Sequence, residues 1–138
     1  MQVKNILFTD SAVKEVLQIL KAKFKYGWHS YRLTNKGRYA IVKGWGSHNI
    51  AILLKSEPYA NFGFKFKDKG EHGVGDSINV DSLKLFVKED IKEIYIIFRD
   101  GKLYHIPFID FLTHSHKWQQ KEGTWVRSIS IHRYKIIL

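Results

Sequence analysis

A pair of lysines carries the spacing in this chain best suited to chemistry. In "NFGFKFKDKG", residues 61–70, Phe62, Phe64 and Phe66 alternate with Gly63, Lys65 and Lys67. The two-residue period of a strand sends these two sets to opposite faces. Two ammonium groups on one face supply point charge and hydrogen-bond donors, which suits a phosphate without activating water. Carboxylates lie nearby in Glu57, Asp68, Glu71 and Asp76. They read as solvated loop charges, and a rearranged metal site is the competing reading. Seven histidines raise zinc: His114 and His116 are spaced to share a strand face, with His72 and His105 joining from elsewhere. No cysteine and no H-E-x-x-H motif accompany them, so surface histidines are the simpler reading. A Ser–His hydrolase has no G-x-S-x-G elbow, and "GEHGVGD" lacks the lysine of a phosphate-binding P-loop.

These groups need elements to position them. Asp10 or Ser11 can cap a helix whose apolar stripe is Val13, Val16, Leu17, Leu20 and Phe24, ending at Gly27. Strands are expected over 28–33 and 38–45, with Asn35-Lys36-Gly37 as the turn between them. The apolar run 50–54 reads as a strand covered on both faces, and Glu57-Pro58-Tyr59 breaks it. Asp76 or Ser77 can cap a second helix carrying Val80, Leu83, Phe86 and Val87. "IKEIYIIF", residues 91–98, reads as a buried strand, and Asp100-Gly101 turns it into "KLYHIPF". Residues 108–112 suit a helical turn, "HSHKWQQKEGTW" a loop, and 126–138 extended segments. The expected fold is α/β (α+β), with a central mixed sheet flanked by helices in one domain spanning residues 1–138.

From "SAVKEVLQILKAKFKYGWHSYRL" through "GWGSHNIAILL" and "NFGFKFKDKG" to "INVDSLKLFVKEDIKEIYIIFRDGKLYHIPF", the chain resembles the PD-(D/E)XK nuclease superfamily. Within it, the likeness is greatest to archaeal Holliday junction resolvases, over residues 10–110. That resemblance implies a restriction-endonuclease-like fold. It places the family's helix glutamate on Glu15, its strand aspartate on Asn49, and its E-x-K pair on Lys65 and Lys67. An alternative register puts the lysine on Lys55 and the glutamate on Leu53. The family's carboxylates hold Mg²⁺, a hard cation that takes oxygen ligands. An ammonium cannot ligate it. The resemblance therefore implies a nuclease fold whose cutting centre has become a binding surface, with no cofactor. Mg²⁺ enters only under the alternative of an active endonuclease with a rearranged site.

Composition bounds the partners. Twenty-three Lys+Arg against thirteen Asp+Glu leave a formal charge of +10, which favours polyanions, nucleic acid first among them. Arg32, Lys36, Arg38 and Lys43 surround the first hairpin as a stripe for phosphates, and Trp45 beside them has the choice of stacking on a base or packing under its loop. Phe24, Phe86 and Tyr95 join Phe62, Phe64 and Phe66 as expected core. A homodimer follows from the resemblance, with Phe108, Phe111 and Leu112 as candidate interface residues and a core role as the alternative. A structural subunit beside an active paralogue is the third reading. With no apolar run long enough for a membrane span and no signal-peptide pattern at the N-terminus, a soluble, cytoplasmic protein is the expectation.

Overall fold

The computed structural model describes residues 9–34, 39–55, 75–98 and 101–136. Helix α1 (Asp10–Phe24) forms where the apolar stripe repeats at helical spacing, and Val13, Val16, Leu17 and Leu20 are fully buried along it. Each such aliphatic side chain contributes about 1.5–3 kcal/mol through burial. The cap is Thr9 rather than Asp10 or Ser11: its side chain accepts from the Ala12 N–H at 3.1 Å. Asp10 occupies the first turn, where an acid complements the helix dipole, and pairs with Lys14 at 3.2 Å. The helix also ends earlier than Gly27. Lys25 takes the left-handed conformation (φ 65°), and its N–H donates to the Lys21 carbonyl at 2.8 Å.

Three strands follow as an antiparallel meander: β1 (Ser30–Thr34), β2 (Tyr39–Trp45) and β3 (His48–Lys55). After β4 (Gly75–Asn79) and α2 (Val80–Lys88), strand β5 (Ile91–Phe98) pairs parallel to β3. The antiparallel strand β6 (Leu103–Pro107) and the short helix α3 (Phe108–His114) come next. The large sheet has the order β1-β2-β3-β5-β6-β9, closed by β9 (Lys135–Ile136). Register sorts its side chains. Val42, Ile50, Ile52, Tyr95 and His105 lie on one face, where Phe24 of α1 meets the rings of Tyr95 and His105 at 5.4 and 5.9 Å. Tyr39, Ile41, Ala51 and Leu53 lie on the other, where Phe86 of α2 meets Tyr39 at 5.1 Å. A helix thus covers each face of a mixed sheet, an α+β architecture.

A second, three-stranded sheet has the order β4-β8-β7, made with β7 (His116–Gln119) and β8 (Trp125–Ser130). Two expectations change here. Residues 76 and 77 lie in β4 rather than capping α2, and the Asn79 side chain caps it by accepting from the Asp81 N–H at 2.7 Å. "HSHKWQQKEGTW" is no loop: it holds β7 and the turn into β8. Phe108 and Phe111 are buried in the core, so they are not interface residues, and Leu112 packs partly buried against the same cluster. Among the described residues, no helix is long and apolar enough to cross a membrane.

Candidate functional site

Three strands of the meander send polar side chains to the α2 face at one end of the sheet. Arg32 (β1), Lys43 (β2) and Asn49 (β3) converge on Glu89, the residue that caps the end of α2. The Arg32 guanidinium contacts one carboxylate oxygen of Glu89, and Lys43 Nζ lies 3.3 Å from the other. Asn49 Nδ2 donates to the Glu89 carbonyl at 3.0 Å, while its Oδ1 accepts from the Gly44 N–H at 3.4 Å. Hydrogen bonding from Lys43 holds the Glu89 carboxyl below the usual carboxylate range; burial opposes this, and the Arg32 charge adds to it. Two cations on one acid leave a single positive charge, an arrangement in which an incoming phosphate competes with Glu89.

Of the positions carried over from the nuclease resemblance, Glu15 and Asn49 are among the described residues, and they lie on opposite faces of the sheet. Glu15 is exposed on α1. Both edges of the Asn49 strand are occupied, by β2 and β5. Lys65, Lys67 and Arg38 lie outside the described residues, as do Lys36, Glu57, Asp68, Glu71 and His72. In the alternative register, Leu53 is buried in the core and Lys55 ends β3.

Trp45 is corrected outright. It is fully buried, edge-on to Tyr95 (6.2 Å) and Tyr26 (5.7 Å), so its ring cannot stack on a base. The cause is an irregularity in β2 between Val42 and Trp45. An inserted residue reverses the alternation of a strand. Without it Trp45 would share the face of Ile41; with it the ring turns under α1. Gly44 makes the bend, with φ +74° and room so tight that an added Cβ would lie 2.6 Å from His29 Cβ.

On the α1 face stands a group that sequence reading missed. Glu93 of β5 lies between His48 of β3 and His105 of β6. His105 Nε2 is 2.5 Å from one carboxylate oxygen, and His48 Nε2 contacts the other. An ionised carboxylate only accepts, so both Nε2 atoms carry protons and donate. Hydrogen bonding from His105 first, and from His48 next, holds the Glu93 carboxyl below its usual range against the opposing effect of burial. Tyr95 stacks flat on His105 at 4.6 Å; burial, and then the Glu93 charge, pushes its hydroxyl far above the usual tyrosine value. Ser47 Oγ reaches His48 Nδ1 at 3.3 Å. The carboxylate sits between the imidazoles rather than beside them. Among the described residues, no group of three or more His, Cys, Asp or Glu is placed to hold a metal ion. His114 and His116 do not share a strand, since the first ends α3 and the second opens β7.

Charge is distributed unevenly along the fold. Between Glu15 and Glu57 the sequence holds eight lysines and arginines and no acid. This stretch builds most of α1 and all of β1, β2 and β3. Lys21 holds its ammonium 5.9 Å from the centre of the Trp28 ring, and β1, the edge strand, is largely exposed. No protein-family model, curated protein or solved structure matches this chain.

Proposed function

We propose that this protein binds nucleic acid, DNA in the first instance, through its phosphates and without cutting it, along the cationic edge formed by the end of α1 with β1 and β2. The observation that carries this reading is the acid-free stretch between Glu15 and Glu57. A stretch rich in lysine and arginine favours polyanions, and phosphate contacts position a duplex without reading its sequence. Lys21 and Lys23 lie in the last turn of α1, where cations suit the helix dipole. Glu89 offsets Arg32 and Lys43 on the α2 face. Asn49 brings no carboxylate for Mg²⁺, and its amide is already engaged at both ends. In this reading the nuclease-like fold implied by the sequence resemblance serves as a scaffold for binding.

Fluorescence anisotropy with labelled duplex at several salt concentrations tests the reading, alongside a cleavage assay in Mg²⁺ or Mn²⁺ with EDTA as control. The expected result is intact strands and salt-sensitive binding. Lys21→Gln with Lys25→Gln lowers the salt slope by about 1–2. Glu89→Gln, which removes the acid shared by Arg32 and Lys43, tightens binding and steepens the slope by about 1. Metal-dependent cutting overturns the non-cutting reading and directs attention to the carboxylates within residues 57–76. Unchanged slopes in all the variants remove this edge as the binding surface.

A further inference from the structure

The β7–β8 hairpin carries two tryptophans with large exposed surface: Trp118 is 40% and Trp125 47% exposed. Large aromatic surface left in water is more informative than a lone exposed aliphatic residue. Register places Lys117, Gln119, Trp125 and Arg127 on one side of the hairpin, and Trp118 with the buried Val126 and Ser128 on the other. Lys117 Nζ lies 5.3 Å from the centre of the Trp125 ring.

Hydrogen bonds hold the hairpin in place. Arg127 Nε donates to Ser115 Oγ at 2.8 Å and its Nη2 to the Ser115 carbonyl at 3.0 Å, tying the hairpin to the end of α3. Trp118 Nε1 donates to Ser128 Oγ at 2.5 Å, which sets the angle of that ring. Gly123 (φ +96°) closes the turn, with its N–H donating to the Gln120 carbonyl at 2.9 Å.

We infer that this hairpin is a binding site for single-stranded nucleic acid, with Trp125 stacking on an unpaired base and Lys117 contacting the adjoining phosphate. The inference rests on the nucleic-acid reading above but assigns a separate surface and a different class of ligand. Charge complementarity selects the occupant: Lys117, Lys121 and Arg127 stand against Glu122 alone among the acids of residues 116–128. A lipid surface or a protein interface calls for exposed aliphatic neighbours around the ring. In the hairpin Trp125 shares its face with Lys117, Gln119 and Arg127, and the aliphatic residues on that face of the sheet, Ile78 and Ile129, are buried. A base offers a π-face and brings its own phosphate, and stacking of this kind is tolerant of sequence.

The test is fluorescence anisotropy of labelled oligothymidylate, about 12 nucleotides long in keeping with known single-strand site sizes, beside a duplex of the same length. Trp125→Ala is expected to weaken oligothymidylate binding ~10-fold while leaving the duplex unchanged, and Trp125→Phe to restore most of the loss. Lys117→Gln lowers the single-strand salt slope by about 0.7. Equal urea midpoints for Trp125→Ala and the parent protein establish that the fold is intact. If the parent binds oligothymidylate and Trp125→Ala binds it equally, the hairpin inference is overturned and the cationic edge stands. Binding of duplex but not of oligothymidylate has the same consequence. If neither ligand binds, both readings fall.

Discussion

Two hairpins of this protein carry a tryptophan beside a lysine and turn on a positive-φ glycine, yet they treat the indole in opposite ways. At the β2–β3 turn, Trp45 is fully buried among Tyr95 and Tyr26. At the β7–β8 turn, Trp125 keeps nearly half its surface in water. Composition does not separate the two; what covers the sheet does. Helix α1 roofs the face onto which the β2 irregularity turns Trp45, whereas β7 is the edge of a small sheet with every residue exposed. A tryptophan beside cations is therefore core or contact surface according to the layer above it.

The comparison breaks most sharply at the indoles themselves. Trp45→Ala is expected to destabilise the protein by about 3–5 kcal/mol in urea unfolding, the cost of emptying a packed aromatic site. Next come two positive-φ glycines, Gly44 at the bend in β2 and Gly123 in the β7–β8 turn. Gly44→Ala meets both a positive φ and His29 Cβ at 2.6 Å, and should cost about 2–3 kcal/mol. Gly123→Ala has the strained φ but its nearest neighbour at 3.9 Å, and should cost about 1 kcal/mol. Equal losses at the two glycines would show that crowding at His29 is relieved by movement.

Glu93→Gln tests the packing beneath the first hairpin. Glutamine keeps one acceptor and turns the other into a donor facing a donor, at a cost of about 1–2 kcal/mol near neutral pH. The sign with pH follows from the lowered native pKa of Glu93. Its stabilising contribution is present above the ordinary glutamate value and is lost as pH falls through the depressed native one. The gap in urea midpoint between parent and variant should therefore narrow on acidification; a constant gap would exclude the ionised carboxylate as its source. Smallest of all, Trp125→Ala should shift stability by no more than about 0.5 kcal/mol, since its ring fills no core site.

Much of the larger sheet was legible because its signals are periodic. Val13, Val16, Leu17 and Leu20 repeat at helical spacing, and the runs 50–54 and 91–98 form strands covered from both sides. Helix caps were displaced because Thr9, Asp10 and Ser11 all have side chains able to cap, and Thr9 is the one in extended backbone (φ −103°, ψ 165°). Strand β7 left no alternation to read, since all four of its residues face solvent. Arg32 and Lys43 were found by charge, but their shared acid was not, because Glu89 arrives from the far end of α2. His48, Glu93 and His105 come from three strands and meet through sheet pairing.

By itself, the sequence determined the elements whose order depends on local periodicity, the positive charge, and the absence of cysteine chemistry. Tertiary structure decided which charges neutralise one another, which tryptophan reaches solvent, and which histidines share a carboxylate. The physical reason is range. Helical and strand periods act over a few residues, whereas an ion pair or a buried ring depends on partners that sheet register and helix packing bring together from distant parts of the chain.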